Sequence, residues 1–127
     1  MTVLAKCYYE FLNQILPAYL EGNVPLKISG DLIDPPYITY TFSRADMFQQ
    51  SLEQVRIWTY SSSMNELLGY LDIIENLVSY GGVLIDLDGG KGSMWIKRGT
   101  PFIQRQPMDE TNLMVGYVNL IVQSLIM

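Results

Sequence analysis

The sequence has no histidine in its 127 residues. That removes every histidine-based triad, the usual general base near neutral pH and the commonest zinc ligand. It has one cysteine, Cys7, so it predicts neither an internal disulfide nor a cysteine-built zinc site. Charge is scarce: 17% of residues are charged and 49% are hydrophobic, the first low and the second at the upper edge of ordinary. No apolar run approaches the roughly 18 residues of a membrane span, and no basic stretch followed by an apolar one opens the chain. The expectation is a protein without a membrane association, made in a reducing, intracellular place. Acids outnumber bases 13 to 8, for a net charge of −5. That argues against duplex nucleic acid as the main ligand, because phosphate binding needs a basic face.

A chain of this length reads as one domain over residues 1–127. The excess of apolar over charged residues fits a protomer whose surface is partly covered by other copies. The organising stretch is Glu53 to Val78. Val55, Ile57 and Thr59 alternate with Gln54, Arg56, Trp58 and Tyr60, a period of two that predicts a strand. After Ser61, Ser62 and Ser63 the period changes. Met64, Leu67, Leu68, Leu71, Ile74, Leu77 and Val78 form a helical stripe, and Ser63 with Glu66 fits a capping box. The pair Gly81-Gly82 ends that helix.

Around this unit the spacing predicts a helix over 2–16, started by Thr2, with Leu4, Cys7, Tyr8, Phe11, Leu12 and Ile15 on its apolar face. Cys7 reads as a small buried hydrophobe. Pro17 stops or kinks the helix, with Ala18 to Leu20 adding a turn. Residues 21–36 form a connector in which Val24, Leu26 and Ile28 alternate. A strand is predicted over 37–43, joined as an antiparallel hairpin to the strand that ends at Tyr60 by a long loop, 44–52. Strands follow over 83–87 and 93–98. A break at Gly99-Thr100-Pro101 precedes an extended 102–106, and the last strand covers 113–126, with a helix as the alternative there. The expected fold class is α+β: a mixed, mostly antiparallel sheet with two helices packed on one face.

Few residues invite chemistry. The turn Asp88-Gly89-Gly90-Lys91-Gly92 has the wrong spacing for a phosphate loop, with Ile85 where the first glycine belongs, so it reads as a hairpin turn. Asp86 and Asp88 share one face at a strand end and as paired carboxylates could do acid–base work or hold a hard cation, but a solvated strand end is the better reading. The serine run reads as a strand-to-helix corner and cap. No catalytic, cofactor-binding or metal-binding residue is assigned.

Contact residues are better marked. Trp58 is in phase with Arg56 and Tyr60, opposite Val55 and Ile57, and Trp95 is in phase with Lys97, opposite Met94 and Ile96. These residues predict either an aromatic interface beside basic groups or, for each tryptophan, ordinary burial. Met47 and Phe48 sit mid-loop and read as a partner contact, with packing back on the sheet as the alternative. Residues 46–88 hold seven acids (46, 53, 66, 72, 75, 86, 88) and one base, Arg56, whereas 91–105 hold four bases (Lys91, Lys97, Arg98, Arg105) and no acid. Either this is chance on a solvated surface, or opposite signs meet head to tail between copies.

The run PYITYTFS, a strand ending VRIWTYSSS, a helix reading ELLGYLDIIENL, a glycine hairpin and the closing RGTPFIQRQPMDETNLMVGYVNLIV resemble the tail terminator, or tail completion, proteins of long-tailed bacteriophages. The resemblance covers nearly the whole chain from Pro36 on. It implies a virion protein at the head-proximal end of the tail, made in the bacterial cytoplasm. The protein would be no enzyme, would use no cofactor, and would assemble as a homo-hexameric ring. The ring would cap the tail tube, stop its polymerisation and form the joint to the head. Its implied partners are other copies of itself, the tail-tube protein and the head–tail connector protein, with DNA only as passing cargo. Head-completion or connector proteins and minor capsid proteins share these features. The alternative from another class is a small intracellular ligand-binding domain or enzyme using Asp86 and Asp88.

Overall fold

The computed structural model describes residues 3–30, 33–43, 50–60, 62, 64–87, 90, 92–107 and 113–126. Two helices and six strands follow one another as α1 (Val3–Asn13), β1 (Ala18–Leu20), β2 (Tyr37–Tyr40), β3 (Gln50–Tyr60), α2 (Met64–Leu77), β4 (Val83–Asp86), β5 (Gly92–Pro107) and β6 (Leu113–Ile126). One mixed sheet holds all six strands in the order β1-β2-β3-β6-β5-β4. Only the β1–β2 pair is parallel. The fold is the expected α+β class.

Cross-strand partners share a face, so the register separates the two sides of the sheet. One side carries Ile38, Tyr40, Val55, Ile57, Met94, Ile96, Val118, Leu120 and Val122, all buried. Both helices pack there. Tyr8 of α1 meets Tyr40 edge-on at 5.7 Å and Phe42 at 5.2 Å between ring centres. Leu67 and Leu71 of α2 close over Gly116, where a Cβ would lie 3.0 Å from Leu67 Cδ1. Glycine at that point lets α2 sit low on β6. Burying a side chain such as Ile57 or Leu71 contributes roughly 1.5–3 kcal/mol.

The strand–helix unit stands as the spacing predicts, with α2 covering the Val55 and Ile57 side of β3. Helix α1 is shorter than expected. It ends at Asn13, whose side-chain oxygen accepts from the Ala18 N–H at 3.2 Å. Residues 18–20 do not extend the helix. They form edge strand β1, seeded where the Pro17 carbonyl accepts from the Ile38 N–H at 2.8 Å. Proline cannot donate, but its carbonyl still can start a ladder. Among the described residues of the connector only Leu26 makes an isolated bridge. Strand β2 stops at Tyr40, three residues short of the predicted end, and pairs antiparallel with β3 as expected, from Tyr37 opposite Trp58 to Tyr40 opposite Val55.

The break expected at Gly99-Thr100-Pro101 is a bulge inside one strand. Arg98 pairs with Leu120 and Ile103 with Val118, which leaves residues 99–102 facing Asn119 alone. The Asn119 side chain donates to the Pro101 carbonyl at 2.8 Å and fastens the bulge. The extra residues let β5 bend and continue. Residues 113–126 are strand throughout, as the β-branched content predicts, and not the alternative helix. Thr2, Ser61 and Ser63 lie outside the described residues.

Candidate interaction face

The side of the sheet turned away from the helices is the molecule's distinctive surface. Alternation along β3 places Gln50, Leu52, Gln54, Arg56, Trp58 and Tyr60 there. Pairing adds Tyr37 and Thr39 from β2, Leu113, Tyr117, Asn119, Ile121 and Gln123 from β6, and Trp95, Lys97 and Gln104 from β5. An open sheet face ordinarily alternates apolar-in with charged-out. Here the outward residues are mostly amides, aromatics and aliphatics. Leu52 is 65% exposed and Leu84 is 58% exposed.

One end of this face is roofed by the described residues of the connector, 21–30 and 33–36. Arg56 donates to Glu21 at 3.0 Å and to Gln54 at 3.0 Å, and lies 5.5 Å from the Tyr117 ring centre. Trp58 donates its indole N–H to Thr39 Oγ1 at 2.9 Å and stacks on Tyr37 at 6.4 Å. Tyr60 donates its hydroxyl to Asp34 at 3.1 Å, and Lys27 donates to the same carboxylate at 2.7 Å. The Lys27 and Tyr60 hydrogen bonds hold the Asp34 carboxyl below its ordinary range, and the bond to Asp34 pushes the Tyr60 hydroxyl up. Beneath the roof is a hollow of about 450 Å³ walled by Val24, Leu26, Tyr37, Trp58 and Leu113, with Arg56 at its side.

The other end is open. Trp95 donates to the Gly81 carbonyl at 3.0 Å, and the Lys97 ammonium lies 4.4 Å above the indole. Lys97 also approaches Gln123 at 3.5 Å, and Gln123 accepts from the Gln50 amide at 3.2 Å. Trp58 and Trp95 are therefore on one face, as their phases predict, but not in one patch. Their partners on β6 are Val115 and Gln123. Eight residues of strand set them roughly 26 Å apart along β6.

Arg98 departs from this surface. It faces the helices, donating from Nε to the Val78 carbonyl at 2.7 Å and from a terminal nitrogen to the Glu75 carbonyl at 3.0 Å. Tyr80 and Phe102 flank the guanidinium at 4.3 and 4.6 Å. Those carbonyls are at the unsatisfied end of α2, where a cation also meets the negative end of the helix dipole. The positive segment thus compensates the acidic helix within one chain at this point. The phase already carried the signal: Arg98 falls on the same side as Met94 and Ile96.

Asp86 is exposed at the end of β4 and accepts from the Ser93 hydroxyl at 3.2 Å. Met47, Phe48 and Asp88 lie outside the described residues. Among the described residues no group of three or more Cys, Asp or Glu side chains gathers as a metal site, and no helix is long and apolar enough to cross a membrane.

Sequence reasoning also missed Glu53. It is fully buried on the helix side, between strands, with both carboxylate oxygens accepting from the Ser43 N–H at 2.8 and 2.6 Å. Burial raises its pKa above the ordinary value, and the Ser43 bonds offset part of that rise. Its phase with Val55 and Ile57 was the available signal.

No family model, no curated protein and no solved structure matches this chain.

Proposed function

We propose that this chain is a structural subunit of a long-tailed bacteriophage virion. Copies of it form a hexameric ring that caps the tail tube, ends tube polymerisation and offers the joint to the head. The observation that carries this reading is the sheet face opposite the helices, with Leu52, Leu84, Trp95, Ile121 and a set of amides turned outward. Such a face has the low charge and aromatic content of a protein contact. The sequence resemblance names the kind of assembly that would cover it. DNA passes through such a ring as cargo, and a net charge of −5 fits passage without adhesion.

The test is binding to the phage tail-tube protein. Co-sedimentation with assembled tubes, at one ring per tube end, supports the reading. Rings seen by negative stain, or a mass near six protomers by light scattering, support the self-assembly. A chain that neither binds tubes nor limits their length in an assembly reaction is not a terminator.

A further inference from the structure

The connector lies on the sheet without sinking into it. None of its described residues, 21–30 and 33–36, is buried. Between it and the strands is the hollow of about 450 Å³, with Tyr37, Thr39 and Trp58 on the strand side. Tyr37 and Thr39 are 3% and 6% exposed, so the floor of the hollow is closed to solvent although its roof is not buried. An element with no buried side chain of its own gains little from hydrophobic contact. Such elements open locally at a fraction of the global unfolding cost.

What fastens the connector to the sheet is polar and wet. Arg56 and Tyr60, both on β3, donate to Glu21 at 3.0 Å and to Asp34 at 3.1 Å. The two carboxylate side chains are 48% and 65% exposed. Bonds so open to water each favour the closed arrangement by about fivefold or less. Other bonds brace the connector against itself. The Gly30 N–H donates to the Lys27 carbonyl at 2.9 Å, the Ile33 N–H to the Pro25 carbonyl at 3.4 Å, and Lys27 to Asp34 at 2.7 Å. These survive if the whole piece moves. At its base the Glu21 N–H donates to the Tyr40 carbonyl at 2.9 Å. Gly22 follows with φ +89° and open space around it, a conformation that glycine adopts without strain.

We propose that the connector is a releasable strap. It pivots at Gly22 and at the start of β2, parts from Arg56 and Tyr60 as one braced piece, and leaves the sheet folded beneath it. The open state bares Tyr37, Thr39 and Trp58 beside the amide-rich face. Any part that this plays in assembly rests on the contact face proposed above, whereas the opening is a property of the single chain.

Thiol labelling of dilute protein reads the opening. Thr39→Cys puts a reporter under the strap, and Cys7→Ser makes it the only thiol. Leu113→Cys lines the same hollow and is the second reporter if the first alters the circular dichroism. With an aromatic disulfide reagent, the reporter should react more slowly than a free thiol. Glu21→Ala and Asp34→Ala should each speed it about two- to fivefold, and together by about the product. Salt at about 1 M should speed the parent and bring it toward the double variant. Urea well below the unfolding midpoint should hardly change the rate, because a local opening exposes little surface. The proposal is overturned if the reporter reacts as fast as a free thiol, or if neither alanine nor salt changes its rate. It is overturned too if the rate rises with urea as steeply as global unfolding does. A chain that labels as expected but binds no tail tube keeps the strap and loses the capping function.

Discussion

Glu53 brings a carboxylate into the apolar layer between the sheet and the helices. The Tyr8 hydroxyl, whose charge interaction with Glu53 marks it as a neighbour, is itself buried without a hydrogen-bond partner among the described residues. Burial first, and then the Glu53 charge, pushes the Tyr8 hydroxyl well up from its usual range. The raised Glu53 pKa has a definite sign in stability. The folded state holds this proton more tightly than the unfolded chain. Stability tied to it is complete below the unfolded value near 4.5 and is lost as pH rises through the folded value. Glu53→Gln keeps the size and the acceptor for Ser43 but removes the charge. The variant should be more stable than the parent around neutral pH, and the gap should close as pH falls through the raised carboxyl range. Urea midpoints of both proteins between about pH 4 and pH 8 measure it. A gap of constant size would assign the effect to packing alone.

Arg98 is the second residue whose neighbours decide its role. Two charge-assisted bonds to the last carbonyls of α2, in the field of the helix end, make Arg98→Ala cost about 2–3 kcal/mol. Arg98→Lys should recover only part of this, since one ammonium cannot reproduce the fork. Thermal unfolding gives both values. A neutral Arg98→Ala would mean that water serves those carbonyls equally well.

At the scale of elements, the passage from α2 to β4 is the tightest joint. Gly82 has φ +82°, and a Cβ there would lie 2.5 Å from Trp95 Nε1 and 2.7 Å from the Ile96 carbonyl oxygen. Gly82→Ala should therefore cost about 3 kcal/mol, combining backbone strain with a clash against main chain. Gly81→Ala next door, with ordinary φ and nothing within 4 Å, should change stability by no more than about 0.5 kcal/mol. Equal effects at the two sites would mean that the clash relaxes freely. Two adjacent glycines look alike in sequence, where they mark only a helix end. Only the approach of Trp95 from β5 tells them apart.

That contrast describes what could be read before the structure. The stripes of α1 and α2 and the alternation of β3 and β6 were legible, because each is a local period imposed by one shared core. So was the outward placing of Trp58, Trp95 and Lys97. Strand β1 was not, since a three-residue edge strand after a proline has no period of its own. The unity of β5 was hidden because Gly99 and Pro101 look like terminators unless Asn119 is known to face them. Glu53 and Arg98 carried the right phase, but charge is ordinarily assigned to solvent. It takes the Ser43 N–H and the α2 carbonyls to explain either one inside.

For the whole molecule, the question is whether segregated charge drives assembly. Helix α2 bears Glu66, Asp72 and Glu75 and no base, yet Arg98 already answers its C-terminal end from within. Reversing Arg98 would therefore damage the fold and say little about contacts. Lys97 is the informative site. It stands on the open face above Trp95, where its loss leaves the core untouched. If an acidic surface of a neighbour meets it, Lys97→Glu should weaken association. An exposed pair is worth about 0.2–1 kcal/mol, so reversal should raise the midpoint concentration severalfold. Salt shortens the reach of such forces to a few ångströms at about 1 M, so parent and variant should converge there. Light scattering across a concentration series at low and high salt provides the measurement, with circular dichroism as the check on folding. Parent and variant that associate alike at low salt would place Lys97 away from every contact. Assembly would then rest on the low-charge face, where Leu52 and Leu84 are exposed.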